Sequence, residues 1–571
     1  MDRPVERCTA IRWLFRCLAV GLGLAQIVAG RNTFGPDARS YLEIARAILR
    51  HDWAMTINAY WSALYPWLLA AVLGIVRPSL RWEFPAAHAL AFPILLVCIA
   101  SFEFFWVGLL RRRELASARL PLTNLPIPAT QMWVLGYSLF IWLTVGDLLL
   151  AINPDLCVTA IVLVTAGLLI RIELTTGSQT SLYLWFGICL GLGYLTKAIL
   201  FPMAFVFLAM MIAVLGHSFR KQIWRFALTA LIFIVVVSPE IALLSHSKGR
   251  VTFSDTGKLA FDWYNYNLPL RNWQGQPAGS GTPVHPTRKV NEYPALYEFN
   301  GPLRSSYPPW YDASYWNEGL SPAFQIRTVA GHAVHQILEL GLILLHPTAW
   351  AIGILLIVLG SDIRASFTGI AVYWYLMVIA AIAIGLYCLT LVQSRYLAPW
   401  EILLWGAILA GVRLRSSSAS LYPGVTALVS LALVAAMGHL VYGESIHGFH
   451  DDASAEYVTA EGLKQMGLQP GTKVGAIGFD NDAYWAYLVR LDIVAEINTD
   501  ETCLFWSEPA AVQTQVLEKF AQAGASVVVA NTGGGIRTTS RAVPLDLAGC
   551  SRPGPGWRKI EGSPNHAFFL K

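Results

Sequence analysis

Long uncharged apolar runs alternate with short polar breaks along most of this chain. A segment needs about 20 apolar residues to cross a bilayer. Eleven segments approach that length, at roughly 11–30, 84–110, 131–150, 155–171, 181–197, 198–216, 226–245, 334–359, 367–391, 396–412 and 421–441. Segment 64–76 is too short to span and reads as an interfacial or re-entrant helix. The stretch 35–69 has a different pattern. It opens on Asp37, and Tyr41, Ile44, Ala45 and Ile48 then recur at steps of three and four, the spacing of one helix face. Trp53, Tyr60, Trp61, Tyr65 and Trp67 follow, and Trp and Tyr concentrate where membrane meets water. The pattern predicts a helix lying along the membrane surface with an acid at its start.

Basic residues orient the spans. Arg3, Arg7, Arg12 and Arg16 precede or open the first, Arg111, Arg112 and Arg113 follow the second, and Arg171 follows the fourth. Arg220, Lys221 and Arg225 separate the sixth and seventh, Arg364 follows the eighth, and Arg413 and Arg415 follow the tenth. All fall on one side if the amino terminus is cytoplasmic. Loops 31–83 and 246–333 and the segment 442–571 then lie outside. Loop 246–333 is rich in Trp, Tyr, Pro, Asn and Gly, and loops of this length usually carry function. Segment 442–571 alternates strand-like runs (473–479, 492–497, 525–531) with helical stretches near 453–467 and 509–523, the pattern of a small α/β domain. The expected division is a transmembrane domain over 1–441 and an extracytoplasmic α/β domain over 442–571.

Composition agrees with this class. Of 571 residues, 55% are hydrophobic and 13% charged, which marks an integral membrane protein. The first span reads as a retained signal anchor, because residues 1–10 are short and polar and no small-residue cleavage site precedes Gly35. A net charge of +5, dispersed along the chain, gives no reason to expect nucleic acid. The eight cysteines form no CxxC or Cys/His cluster. Cys503 and Cys550 alone fall in the outer domain, where they pair in an oxidising compartment or stay free. Gly533, Gly534 and Gly535 follow a strand, but without GxGxxG or GK[ST] a flexible turn is favoured over a phosphate loop. His285, His332, His335 and His346 offer one HxxH spacing and no visible third ligand.

Ionisable groups near spans are costly, so they mark candidate function. Asp37, Asp155, Lys197 and Arg395 all fall at outer ends of spans in the orientation above. Lys197 stands about 24 Å up its helix from Ser181, in the outer leaflet. Two acids and two cations at one depth suit a lipid-linked phosphate: Arg395 binds it through parallel hydrogen bonds and Lys197 acts as a point charge. Asp37 is the candidate general base and only catalytic residue. Asp155, Lys197, Arg395, Tyr396, Tyr41, Trp61 and Tyr65 are the candidate substrate-binding residues. Structural alternatives stand beside these roles. Asp37 and Asp155 suit helix caps, Lys197 suits snorkelling, and Arg395 suits an outer-flank charge or a partner for Glu401. Arg39 and Glu43, on the surface helix, are expected to be solvated. The aromatics of 261–316 either pack the loop or stack on substrate.

The first-loop pattern D…YLEIA…W…NAYWSALYPWLL, the PD at Pro154–Asp155, the GLGYLTK ending at Lys197 and the RYLAP beginning at Arg395 carry a family likeness. Over about residues 10–415 the chain resembles the C-type membrane glycosyltransferases, nearest the bacterial branch related to protein O-mannosyltransferases and the lipid A aminoarabinose transferase. The resemblance implies the C-type architecture in a bacterial inner membrane; joined to the span and strand patterns above, the expected fold is an α-helical polytopic membrane protein of about eleven transmembrane helices with a small extracytoplasmic α/β domain, for which the resemblance offers no counterpart. The resemblance implies a polyprenyl-phosphate sugar donor, a lipid, glycan or protein acceptor, and a catalytic or substrate-activating acid at Asp37. In some members it implies a divalent metal. Here Asp37 is followed by Ala38 rather than a second acid, which weakens the metal expectation. A glycan ligase or polymerase using a polyprenyl-pyrophosphate donor shares the site chemistry. A transporter of lipid-linked glycans is less favoured, because no internal repeat is visible.

Overall fold

The computed structural model describes residues 8–33, 35–117, 124–175, 179–266, 272–284, 287–301, 305–322, 324–415, 420–449, 453–533, 547–550 and 552–570. His285, Gly534 and Gly535 lie outside the described residues. The chain is a multi-pass helical bundle capped at one end by a mixed sheet. The bundle and first-loop helices are α1 (Thr9–Ala29), α2 (Pro36–Leu49), α3 (Leu64–Val76), α4 (Ala91–Ser117), α5 (Ala129–Val145), α6 (Asp155–Leu174), α7 (Thr180–Thr196), α8 (Leu200–Leu215) and α9 (Phe219–Lys248). Next come α10 (Thr256–Tyr266), α11 (Ile326–Leu344), α12 (Thr348–Leu359), α13 (Ile363–Ala371), α14 (Trp374–Cys388), α15 (Ser394–Gly411) and α16 (Tyr422–Phe449).

Among the described residues, five helical stretches are long and apolar enough to cross a membrane, or seven if each of two bent pairs counts as one. One of the five, Leu200–Lys248, holds two of the expected spans. Leu200 packs on Gly193 and Phe207 on Phe186, so α8 runs antiparallel to α7. Gly187 meets Thr229 and Gly191 meets Val236, so α9 runs parallel to it. A Cβ on Gly191 would stand 2.5 Å from Val236, which is why the GLG run allows this close crossing.

Two expected spans are not continuous. The segment expected at 334–359 is α11 and α12, bent by 81°, with Pro347 at the break. Proline lacks the backbone N–H and pushes its predecessor out of the α region. The segment expected at 367–391 is α13 and α14, bent by 79°. Here no proline intervenes. Gly369 lies against the Gly411 carbonyl, where a Cβ would come within 2.1 Å, so α13 turns to follow α15. The segment at 64–76 is α3, packed on α2.

The outer domain adds α17 (Ala453–Gln465), α18 (Tyr484–Val489) and α19 (Ala510–Gln522). Its strands are β1 (Arg288–Asn291), β2 (Leu296–Glu298), β3 (Lys473–Ile477), β4 (Asp492–Ile497), β5 (Val527–Ala530), β6 (Trp557–Lys559) and β7 (His566–Phe569). They form one seven-stranded sheet in the order β1-β2-β4-β3-β5-β7-β6. β3 pairs in parallel with β4 and β5, and the outer pairs are antiparallel. The parallel strands are buried on both faces, which explains their near-continuous apolar runs. The sheet is not built from the carboxyl-terminal segment alone: β1 and β2 come from loop 246–333. The boundary expected at 442 falls inside α16. Cys503 and Cys550 are joined in a disulfide.

Candidate active site

Asp37 sits in the first turn of α2. Gly35 is the N-cap and Pro36 fills the first helical position, a preferred place for proline. Asp37 is therefore not the cap, and its carboxylate is turned elsewhere. Arg395, at the start of α15, donates from Nη2 to Asp37 Oδ2 at 3.2 Å and to the Tyr396 hydroxyl at 2.9 Å. Its Nε donates to Gln393 Oε1 at 2.9 Å. Its Nη1 stands 3.8 Å from Asp155 Oδ2. Asp155 opens α6 after Pro154, which occupies the cap position, so Asp155 is not the cap either. Its other oxygen accepts from the Lys197 ammonium. Lys197 ends α7 in extended conformation and lies 3.8 Å from the centre of the Tyr396 ring. The four charges thus form one chain, Asp37–Arg395–Asp155–Lys197, with Tyr396 beneath both cations.

Exposure differs along that chain. The Asp155 side chain is only 3% exposed, whereas those of Asp37, Arg395 and Lys197 are 30%, 23% and 24% exposed. Asp155 is the interior anchor, and the other three reach an opening. Glu401, the alternative partner for Arg395, is buried farther along α15.

The turn leading to Gln393 and Arg395 is held by three hydrogen bonds from two helices. Asn265 of α10 donates to the Leu389 carbonyl at 2.9 Å, His332 of α11 donates to the Thr390 carbonyl at 2.6 Å, and Gln336 of α11 accepts from the Val392 amide at 2.7 Å. His332 is thus a brace rather than half of a metal-binding pair. Tyr387 stacks on Tyr396 with ring centres 5.3 Å apart.

Tyr41, Trp61 and Tyr65 are buried beside the acid. Tyr41 lies one turn from Asp37 and meets Trp61 and Tyr65 edge to face at 5.2 and 5.4 Å. Burial pushes the Tyr41 phenol up, and the negative charges of Asp37 and Asp155 push it further. Trp61 and Tyr65 thus pack on the face of α2 that carries Tyr41. Tyr264 of α10, in loop 246–333, was not singled out in the sequence. Burial raises its phenol, and the Asp37 charge adds to the shift. Gln393 was also missed. Its only signal is its place two residues before Arg395.

The other face of α2 meets the outer domain, against the expectation that Arg39 and Glu43 are solvated. Arg39 is 2% exposed, donates to the Asn481 carbonyl at 2.6 Å, and lies over the Tyr484 ring at 4.6 Å. Glu43 accepts from the Ser306 amide at 3.0 Å. Arg46 bonds Glu83 and the Tyr487 carbonyl, and the Tyr487 hydroxyl donates to Glu83 at 2.6 Å. A helix read alone shows a polar stripe here. The stripe is covered because Asn481 and α18 meet Arg39 and Arg46, and Ser306 of loop 246–333 meets Glu43.

Asp37 and Asp155 are each engaged by a cation, and no group of three His, Cys, Asp or Glu that could hold an ion occurs among the described residues.

No protein-family model matches the chain, and no curated protein matches its sequence. Solved structures do match. The crystal structure of ArnT from Cupriavidus metallidurans bound to undecaprenyl phosphate aligns with a TM-score of 0.50 at 12% identity, covering 98% of each chain. The apo oligosaccharyltransferase of Archaeoglobus fulgidus aligns with a TM-score of 0.45 at 13% identity, covering 91% of this chain and 69% of that one. The architecture is that of the C-type membrane glycosyltransferases.

Proposed function

We propose that this protein transfers a sugar from a polyprenyl-phosphate donor to an acceptor outside the cytoplasm of a bacterium, from the inner membrane, with the amino terminus cytoplasmic. The carrying observation is the meeting of Asp37, Arg395, Asp155 and Lys197, drawn from the first loop, α15, α6 and the end of α7. The ArnT structure that shares the fold was solved with undecaprenyl phosphate bound, which suits the same donor class here.

The donor phosphate rests between Arg395 and Lys197. Arg395 Nη1, 3.8 Å from Asp155 and so beyond hydrogen-bond distance of it, has N–H donors to offer a phosphate oxygen. Asp155 keeps Lys197 and Arg395 in place by opposite charge while itself shielded from solvent. Asp37 accepts the proton from the acceptor hydroxyl or amine as that atom attacks the anomeric carbon. The new bond forms at that carbon as the carbon–oxygen bond to phosphate breaks, and the phosphate leaves with the electron pair. Both cations neutralise the charge it gains. A single displacement inverts the anomeric centre. Tyr41, Trp61, Tyr65 and Tyr396 shape the sugar and prenyl subsites.

Mass spectrometry of surface glycans from cells lacking the protein tests this reading. One sugar is expected to disappear, to return with the wild-type gene, and not to return with Asp37→Asn. An unchanged glycan profile overturns it.

A further inference from the structure

We propose a second lipid site, for an anionic glycerophospholipid, at the opposite membrane face from Asp37. Arg16 lies near the start of α1 and Ala29 at its end, 13 residues or roughly 20 Å along the helix, with Asp37 beyond. At that far end a cleft of about 410 Å³ opens between α1, α4 and α6. Ligand sites of roughly 300–1,000 Å³ are typical. Its charged end holds Arg12, Arg16, Arg171 and Glu103. Its apolar end runs along α4 through Ile99 to Leu96, about 10 Å from Glu103.

The charges do not balance. Glu103 accepts from Arg16 Nε at 2.5 Å, from Arg12 and from the Tyr137 hydroxyl. One carboxylate therefore serves two guanidiniums. Arg171 has no carboxylate in the cleft: it donates to the Gly167 and Phe104 carbonyls at 2.8 and 2.9 Å and lies 3.5 Å over the Phe104 ring. Three cations against one anion leave a net charge of +2 beside apolar helix faces. Arg12 Nε is buried without a hydrogen-bond partner among the described residues. Charge at membrane depth is costly unless paired.

A phosphodiester headgroup supplies the missing negative charge, and basic pockets between transmembrane helices are suited to such groups. The cleft also selects for a chain. Leu96 is 43% exposed and Ala100 is exposed, so the apolar end opens sideways to bulk lipid rather than inward. A diacyl lipid enters from the leaflet, sets its phosphate among the arginines, and lays one chain along Ile99 and Leu96. The site shares no residue with the Asp37 cluster and does not depend on the transfer reaction.

The test uses the full chain in mixed vesicles of phosphatidylcholine and phosphatidylglycerol, followed by native mass spectrometry of the released protein. Wild type should retain phosphatidylglycerol in preference to phosphatidylcholine. Ala100→Trp fills the cleft without touching an ion pair. The triple variant Arg12→Gln, Arg16→Gln, Glu103→Gln removes charge without stranding the carboxylate. Each should lower phosphatidylglycerol retention roughly tenfold, the effect of losing one charge-assisted contact. Asp37→Asn should retain it as wild type does. Equal retention of the two lipids by wild type, or full retention by Ala100→Trp, overturns the proposal. So does displacement of phosphatidylglycerol by added undecaprenyl phosphate, which would assign the cleft to a prenyl carrier.

Discussion

Arg395 and Asp37 are 358 residues apart in sequence, yet a guanidinium nitrogen of one donates to the carboxylate of the other at 3.2 Å. The pair joins the first outer loop to the start of α15. The same guanidinium is bound by Gln393 and Tyr396, so its plane is fixed before any substrate arrives.

Asp37→Asn should abolish transfer and leave the fold intact. The amide keeps the volume and can still accept from Arg395, but it cannot take up a proton at neutral pH. Loss of a positioned base typically lowers turnover by about 10²–10⁴-fold. Turnover in proteoliposomes with a lipid-linked sugar, together with a melting curve, separates the two effects. Near-normal turnover by a well-folded variant removes Asp37 as the base.

Arg395→Lys and Arg395→Ala should weaken donor binding to different extents. Lysine keeps the charge but cannot reach Asp37, Gln393 and a phosphate oxygen from one rigid plane. Its KM for the donor should rise, and alanine should raise it further, by roughly tenfold or more. Titration with the prenyl phosphate alone provides an independent measure. Unchanged affinity in the alanine variant excludes the phosphate role.

The long apolar helices and the three parallel strands of the outer sheet were legible because each is a local pattern. Apolar length marks a membrane helix, and buried parallel strands read as unbroken apolar runs. The charges of the site were legible because Asp37, Asp155, Lys197 and Arg395 stand where apolar runs end. Two kinds of feature were not. The bend between α13 and α14 depends on Gly369 meeting Gly411, and no local signal reports a contact across 42 residues. The burial of Arg39 depends on Asn481 and α18 arriving from the far end of the chain, and that of Glu43 on Ser306 of loop 246–333. An amphipathic helix looks the same whether its polar stripe meets water or another domain's polar groups.

Arg46 tests that docking. It is held by Glu83 and the Tyr487 carbonyl, with the Tyr487 hydroxyl closing the network. Arg46→Ala strands a buried carboxylate, an effect of about 3–5 kcal/mol. Arg46→Met combined with Glu83→Leu removes both charges and should cost much less. Thermal melting of both variants, with limited proteolysis of the outer domain, provides the comparison. If the single variant melts no lower than the double one, the pair does not hold the domain.

The disulfide between Cys503 and Cys550 closes a loop across a sequence separation of 47. Cross-linking a loop of that length restricts the unfolded chain by about 4 kcal/mol in the chain-entropy account. Cys503→Ser with Cys550→Ser should therefore lower the melting temperature of the outer domain while sparing the bundle. A thiol titration of the denatured, unreduced protein should find six free cysteines, the number outside this bond. Eight would show that the bond does not form.

Glu456 predicts a pH dependence of the outer domain. It accepts from the Trp485 amide at 2.8 Å, next to the loop that docks on Arg39. Burial pushes its carboxyl up to about 8, and nearby Asp482 adds to the rise, against the opposing pull of the Trp485 amide and Arg39. An unfolded glutamate titrates near about 4.3. Between those values the folded state binds a proton that the unfolded state has lost, so stability falls as pH rises through this window. Below about 4.3 both states are protonated and the group has no effect on the slope. Above about 8 both are ionised, and the folded domain bears the full desolvation cost of the charged carboxylate. Glu456→Gln still accepts from Trp485 and carries no charge. Its melting temperature should match wild type near pH 5 and exceed it near pH 8 by roughly 2–4 °C for each kcal/mol recovered. Two curves that stay parallel between those limits would mean that Glu456 does not carry the proton.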